Sequence, residues 1–396
     1  MPELLSPAGD MKCLRTAFHF GADAAYIGGP AFQLRAAKAG FSRDEITAAA
    51  AYAHERDKKL YVAVNAFAQE EDLKYIGGYA HFLSDAGVDA VIVSDLGVLS
   101  IVRRSAPGLE IHISTQANTI NSEAVRVLSD LGASRIILGR ECTLDDIRAI
   151  RQNTPPHIKI ECFIHGAMCM AYSGRCILSS YLAARSANKG GCTQPCRWNY
   201  VLEEETRPGM YLPIEESERG TAILSSHDLC CINFLDVLKD AGIDSLKIEG
   251  LMKSEYYIAA VVNAYRKRLD GNISLEDARS ELDSVTHRPY STGFYFSELK
   301  YGHDNRGEYI SDCIFAGVAL SNSGSNTVIE QRGNFRKGDT LEVLTPDRPV
   351  YSITVEELYD EAGEAVGSAN RSGHIYTIGN TIEPMSILRL RTKTEG

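Results

Sequence analysis

Short apolar runs recur along the first two-thirds of the chain, each followed by a stretch of helical periodicity. The runs are Leu4-Leu5-Ser6, Ala24-Ala25-Tyr26-Ile27-Gly28, Leu60-Tyr61-Val62-Ala63-Val64-Asn65, Ala90-Val91-Ile92-Val93-Ser94-Asp95, Ile111-His112-Ile113-Ser114-Thr115-Gln116, Arg135-Ile136-Ile137-Leu138, Ile158 to Ile164, and Ser245-Leu246-Lys247-Ile248-Glu249. Amphipathic stretches between them close on Gly21, Gly87, Gly132 and Gly242. A glycine just past a helix end supplies a left-handed cap, and the apolar run behind it is the next strand. Eight such repeats predict a TIM-type (β/α)8 barrel, whose chemistry sits on the loops after the C-terminal strand ends. An open doubly wound sheet is the alternative, but no Gly-x-Gly-x-x-Gly follows the first strand.

The rhythm breaks twice. Residues 165–230 have no clear period and read as a cysteine-rich insertion between the seventh and eighth strands. After about residue 305 come short alternating runs with turns, among them Thr327-Val328-Ile329-Glu330 and Ile387-Leu388-Arg389-Leu390. The expected division is therefore a barrel over residues 1–305 and a small antiparallel β-barrel over 306–396.

Composition narrows the function classes. A formal charge of −11 is at odds with a basic coat that grips nucleic acid nonspecifically, although local basic clusters such as Arg266-Lys267-Arg268 exist. No apolar run reaches the roughly 18 residues of a membrane span, and the first residues lack a basic, then apolar, leader pattern. A cytoplasmic protein without membrane association is expected. In a reducing compartment, ten cysteines point to metal or redox work rather than to a disulfide scaffold.

Four of the ten stand close together as Cys169-x6-Cys176-x15-Cys192-x3-Cys196, with Gly166, Gly174, Gly190 and Gly191 around them. Four thiolates on one glycine-containing loop suit an iron–sulfur cluster or a structural zinc. Zinc sites favour two short-spaced pairs, and here only the second pair fits, so the spacing favours iron–sulfur with zinc still open. Cys13, Cys142, Cys162 and Cys313 lie in or beside apolar runs and read as core residues. Cys230-Cys231 begins a helix-like segment and reads the same way, with a ligand role as the alternative.

The cysteine region also carries a resemblance. Glu161-Cys162-Phe163-Ile164-His165-Gly166-Ala167-Met168-Cys169 and Ser173-Gly174-Arg175-Cys176-Ile177-Leu178-Ser179 resemble the signature of the collagenase-like peptidases, number thirty-two of the unassigned peptidase families. Ser6-Pro7-Ala8-Gly9, Ser114-Thr115-Gln116-Ala117-Asn118 and Leu246-Lys247-Ile248-Glu249-Gly250 match the same pattern. Within that family, Cys192-x3-Cys196-Arg197-Trp198 and the appended β domain are most similar to the proteins that convert the tRNA wobble uridine to 5-hydroxyuridine. Relatives hydroxylate a ribosomal RNA cytidine. The resemblance implies a 4Fe-4S cluster, hydroxylation without molecular oxygen, tRNA as the macromolecular partner and prephenate as the small-molecule co-substrate.

It also suggests roles for residues at the strand ends. Prephenate carries two carboxylates, which call for arginine or lysine; Arg35, Arg175 and Lys247 are the candidates, with Gln116 and Asn118 beside them. His165 is a candidate for proton transfer or for donating to a cluster sulfur. Glu249 is a candidate for accepting a proton or orienting Lys247, two residues away on the same strand. Tyr256 is a candidate for stacking on a flipped base. For each, a structural ion pair or plain packing is the alternative. A peptidase would need an activated nucleophile or a metal-bound water, and the chain has neither His-Glu-x-x-His nor Gly-x-Ser-x-Gly. A non-enzymatic iron–sulfur RNA-binding scaffold is the remaining alternative.

Overall fold

Eight strands, one for each apolar run, lie parallel and close into a barrel. The computed structural model describes residues 1–33, 40–169, 173–174, 176, 178–183, 185, 192–193, 195, 215–217, 220–222, 227–296 and 309–392. These residues fall into two compact units, Met1–Leu14 with Ala22–Lys253 and Arg288–Tyr309, and Arg15–Gly21 with Ser254–His287 and Ile310–Gly396.

In the first unit the strands are β1 (Glu3–Pro7), β2 (Ala24–Gly28), β3 (Lys59–Val64), β4 (Ala90–Val93), β5 (Glu110–Ile113), β6 (Arg135–Ile137), β7 (Lys159–Ala167) and, after β8 (Glu215–Ser217), β9 (Gly220–Ala222) and β10 (Asp228–Cys230), β11 (Ser245–Ile248). Strand β11 pairs in parallel with both β1 and β7, which closes the ring. Strands β2, β4 and β11 are buried along their whole length, as strands covered on both faces must be. Between them run α1 (Met11–His19), α2 (Arg43–His54), α3 (Glu70–Asp85), α4 (Leu96–Ser105), α5 (Ser122–Asp130), α6 (Leu144–Asn153), α7 (Leu178–Ala183) and α8 (Leu235–Asp240). Helices start where short polar side chains can accept the free N–H groups of the first turn. Ser42 with Glu45 and Thr143 with Asp146 form capping boxes, and Asp95 caps α4. Asp95, a strand-end polar residue at the mouth, is thereby committed to its helix. Gly21, Gly87, Gly132 and Gly242 all take positive φ, the cap geometry their positions predict. No described helix is long and apolar enough to cross a membrane.

Strand β7 is nine residues long and outreaches its neighbours. Its far end pairs antiparallel with β10, Ala167 opposite Asp228 and His165 opposite Cys230, and β10 carries the short β12 (Tyr290–Ser291) on its other side. The cysteine-bearing excursion therefore leaves and rejoins the barrel at one place.

The lower barrel interior is ionic rather than aliphatic. Arg135 donates to Glu161 at 2.9 Å and to Glu3, and Glu3 also accepts from Tyr61 and Ser245. The Lys247 ammonium lies 3.1 Å from the second Glu161 oxygen and 4.2 Å from the Tyr26 ring centroid. Burial works against the Glu161 charge, but Lys247 and Arg135 outweigh it and hold the carboxyl down at about 2.

In the second unit α9 (Glu255–Leu269) and α10 (Leu275–Asp283) accompany an antiparallel sheet. Its strands are β13 (Cys313–Ser323), β14 (Asn326–Gln331), β16 (Thr340–Leu344), β17 (Tyr351–Thr354), β18 (Leu358–Tyr359), β20 (Ile375–Ile378) and β21 (Ile387–Arg391), in the order β17-β16-β21-β13-β14-β20-β18. A separate ribbon pairs β15 (Phe335–Arg336) with β19 (Ser368–Ala369). Register shifts along β13 curl the sheet around a core that includes Ile329, Leu341, Val343, Ile378 and Leu388. Among the described residues no pairing joins β17 to β18, so the expected small barrel is a half-barrel. Arg389 ties the helices to the sheet, donating to Glu281 at 2.7 Å and to Glu342 at 2.8 Å.

Tyr256, the candidate for base stacking, belongs to this interior. It is 5% exposed, its ring stacks on Phe315, and its hydroxyl donates to the Ser284 carbonyl. Both its polar and its apolar capacity are used in packing, so it does not serve as a platform for a base.

Candidate functional site at the barrel mouth

The loops after β5, β6, β7 and β11 converge on the start of the cysteine excursion. After β6 the chain runs Leu138-Gly139-Arg140-Glu141, and these last two residues hold the excursion on two sides. The Arg140 guanidinium directs one nitrogen at Cys169 Sγ, 3.8 Å away, and the other at Glu249 Oε2, 3.1 Å away. Its Cζ lies over the Phe163 ring, 4.0 Å from the centroid. Burial opposes its charge, while Glu249 and then Cys169 raise its pKa above the ordinary arginine value. Glu141 accepts the Ser173 backbone N–H at 2.6 Å, and its other carboxylate oxygen takes the Ser173 hydroxyl.

Two glycines allow this close assembly. Gly166 has φ +104°, and a Cβ there would stand 2.5 Å from the Glu249 carbonyl oxygen. Gly174 has φ +72°, and a Cβ there would stand 2.0 Å from the Gln116 carbonyl oxygen. At both places only glycine lets two backbones touch.

Cys169 and Cys192 are exposed and Cys176 is half-buried. Thr193, next to Cys192, donates its backbone N–H to Ser179 Oγ at the start of α7. The other described cysteines differ. Cys13, Cys142, Cys162, Cys231 and Cys313 are buried and Cys230 is half-buried; none of these is disulfide-bonded, and burial raises the Cys142 thiol to about 12 and the Cys162 and Cys231 thiols well above the usual range. Thiols that resist ionisation suit a core, whereas a metal ligand must be a reachable thiolate. Two exposed thiols and a half-buried one on one loop, with Cys169 beside a guanidinium, fit a thiolate-ligated metal centre in donor chemistry. Among the described residues no three His, Cys, Asp or Glu side chains are gathered at metal-binding distance. Cys196, Arg35 and Arg175 lie outside the described residues.

Gln116 sits in the short helical turn Thr115–Ala117, where its carbonyl underlies Gly174. Asn118 follows in a left-handed conformation, φ +54°, and among the described residues its buried Nδ2 has no hydrogen-bond partner. That nitrogen is a donor at the mouth with capacity left for a ligand. His165 is 1% exposed on β7, its ring 5.4 Å from that of Tyr290, and its carbonyl accepts the Glu249 N–H. Lys247 is 4% exposed and paired below with Glu161, so it is a barrel-interior cation and not a mouth residue open to an anion. Glu249 pairs with Arg140 rather than orienting Lys247. Arg140, Glu141 and Glu161 were not among the expected residues. A polar pair two positions beyond the sixth apolar run was the only sequence signal for the first two.

Comparison with known proteins finds relatives along nearly the whole chain. The sequence profile of peptidase family U32 matches residues 9–305, and that of the peptidase family U32 C-terminal domain matches residues 311–389. The chain is 36% identical over 401 residues to tRNA hydroxylation protein P1 of Bacillus subtilis, an alignment covering 98% of this chain and 94% of the relative. It is 35% identical over 425 residues to tRNA hydroxylation protein P of Escherichia coli, covering 94% and 92%. An Escherichia coli 23S rRNA 5-hydroxycytidine synthase is 40% identical over 271 residues, covering 68% of this chain and 40% of that protein.

Proposed function

This chain belongs to peptidase family U32, and from that premise we propose that it is an RNA-modifying hydroxylase acting on tRNA. The observation that carries the reading is the match to a tRNA hydroxylation protein over 98% of the chain. The finer reading is oxygen-independent conversion of the wobble uridine to 5-hydroxyuridine, with prephenate as co-substrate and a 4Fe-4S cluster held by Cys169, Cys176, Cys192 and Cys196. It is supported by the sequence signature around these cysteines, by the exposure of Cys169 and Cys192 and by the cation beside Cys169. When bound, such a cluster supplies one-electron chemistry.

The chain's own residues have definable tasks in this reading. Arg140 sets a positive charge against the ligand sulfur, and Glu249 fixes the direction of its fork. Glu141 fastens Ser173, ahead of Cys176, and Gly174 lets that segment lie against the Gln116 carbonyl. Asn118 Nδ2 offers a donor to a substrate carboxylate or base edge, and Arg35 and Arg175 are the remaining candidates for the prephenate carboxylates. A cysteine-peptidase reading draws no support from Cys169, whose sulfur meets a guanidinium, which cannot serve as a general base.

Mass spectrometry of nucleosides from the tRNA of a strain lacking this protein tests the reading. Wobble 5-hydroxyuridine and its derivatives should be lost, and should return with the wild-type chain but not with Cys169→Ser. Unchanged levels in a strain with no second enzyme for this modification would overturn it.

A further inference from the structure

We propose that Arg140 and Glu249 together set the reduction potential of the metal centre on Cys169, the guanidinium raising it and the carboxylate moderating that effect. The inference rests on the cluster reading above and assigns a task to two residues of the chain that are not ligands.

The geometry distinguishes this arrangement from an ordinary ion pair. One guanidinium nitrogen faces Cys169 Sγ and the other faces Glu249, so a single planar group bridges the ligand and a counter-charge. The bridge is built to stay in place. Phe163 supports the guanidinium face, and the Phe163 carbonyl is held by the Tyr295 hydroxyl at 2.5 Å. Gly166, lacking a side chain, lets the Glu249 backbone come close enough to aim its carboxylate. The Arg140 side chain is only 10% exposed, so water screens its charge weakly.

Reduction by one electron adds one negative charge to a thiolate-ligated cluster. A fixed cation with an N–H toward a ligand sulfur stabilises that added charge, and hydrogen bonds to the sulfurs and net charge are among the levers that set cluster potentials. Glu249 opposes the same addition from the far side of the guanidinium. Lysine would keep the charge, but its single ammonium lacks the two-pronged fork that faces both partners from over Phe163.

The test is a redox titration of the anaerobically purified full chain with dithionite, followed by electron paramagnetic resonance and by iron counted per chain. Arg140→Gln should shift the potential to a more negative value, Glu249→Gln to a more positive one, and Arg140→Lys should fall between wild type and Arg140→Gln. Opposite displacements from two neighbouring substitutions are not produced by general loosening of the site. Potentials that stay put, or that move in the same direction in both Gln variants while iron content is intact, would overturn the proposal and leave the cluster reading standing. If Arg140→Gln holds no iron, the direction of Glu249→Gln and the position of Arg140→Lys decide the matter. A wild-type chain that binds no iron at all would overturn both readings.

Discussion

Arg135 and Glu161 meet 2.9 Å apart inside the barrel, and Glu161 has no exposed surface while Arg135 has 2%. Glu161 is the shared anion of two buried cations, since Lys247 reaches its other oxygen. Such an arrangement stabilises little relative to apolar packing, yet it is costly to break, because removing one member strands the other charges out of water.

Glu161→Ala should therefore destabilise the chain by about 3–5 kcal/mol. Urea unfolding of wild type and variant, followed by far-UV circular dichroism, checks this. A loss below about 1 kcal/mol would mean that water or another carboxylate compensates Arg135 and Lys247.

The same pair predicts an acid dependence. Glu161 sits at about 2 in the folded chain against an ordinary 4.5, so its contribution is fully present above about pH 4.5 and drains away as pH falls toward 2. Over that window wild type should lose its stability advantage over Glu161→Gln. Denaturation midpoints of the two proteins, compared at several pH values, give the readout; parallel curves would contradict the assignment.

Cysteines at the mouth and in the core should respond differently to substitution. Serine at Cys169, Cys176, Cys192 or Cys196 is expected to abolish or sharply reduce bound iron. Cys162→Ala should keep the iron and lower stability by about 1 kcal/mol, as removal of a small buried side chain does. Iron-to-protein ratios of anaerobic preparations separate the two groups.

Gly174→Ala should lift the excursion from its seat, because the new Cβ would overlap the Gln116 carbonyl at 2.0 Å. Iron content should fall several-fold while the circular dichroism of the barrel stays near wild type. Full iron occupancy in this variant would show that the Gly174 contact does not position Cys176.

Removal of residues 310–396 should not yield a clean domain deletion. It takes away Phe315 from the Tyr256 ring and Arg389 from Glu281, and leaves the apolar flank of α9 uncovered within its own unit. Poor solubility and a broadened thermal transition are expected. A soluble truncated chain that melts like the full one would show that α9 and α10 do not depend on the sheet.

The barrel was legible because its signals are local. Each strand is a short, mostly apolar run, and each of four helices had to end on a glycine able to take positive φ, which Gly21, Gly87, Gly132 and Gly242 do. Pairing across the barrel was not legible in the same way. Lys247 and Glu249 stand two apart in β11 and its loop, a spacing that suggests a shared face, but the β11–β7 register shifts between Lys247 and Ile248. One turns to Glu161 and the other to Arg140.

Arg140 is not legible in the sequence for a related reason. It lies beyond the last strand residue of β6, where no periodicity assigns a direction, and its role becomes visible only when three loops are brought together. Tyr256 shows the opposite limit. A tyrosine in the sequence shows an aromatic face and a hydroxyl but not whether Phe315 and Ser284 already occupy them. The half-barrel reflects a further limit, since alternation reveals strands but not which two edges meet.

The clamp of β10 on the end of β7 has a consequence for how such proteins diversify. Ala167 and Asp228 are register partners, so the departure and return points of the cysteine-bearing stretch are fastened to each other before any of it is considered. Insertions and deletions there leave both anchors untouched, and doubling the length of a loop with fixed ends adds only about 0.6 kcal/mol of closure entropy. Changes of length between these anchors therefore need not disturb the pairing of β7 with β10, so the ring and its excursion are separable problems for folding.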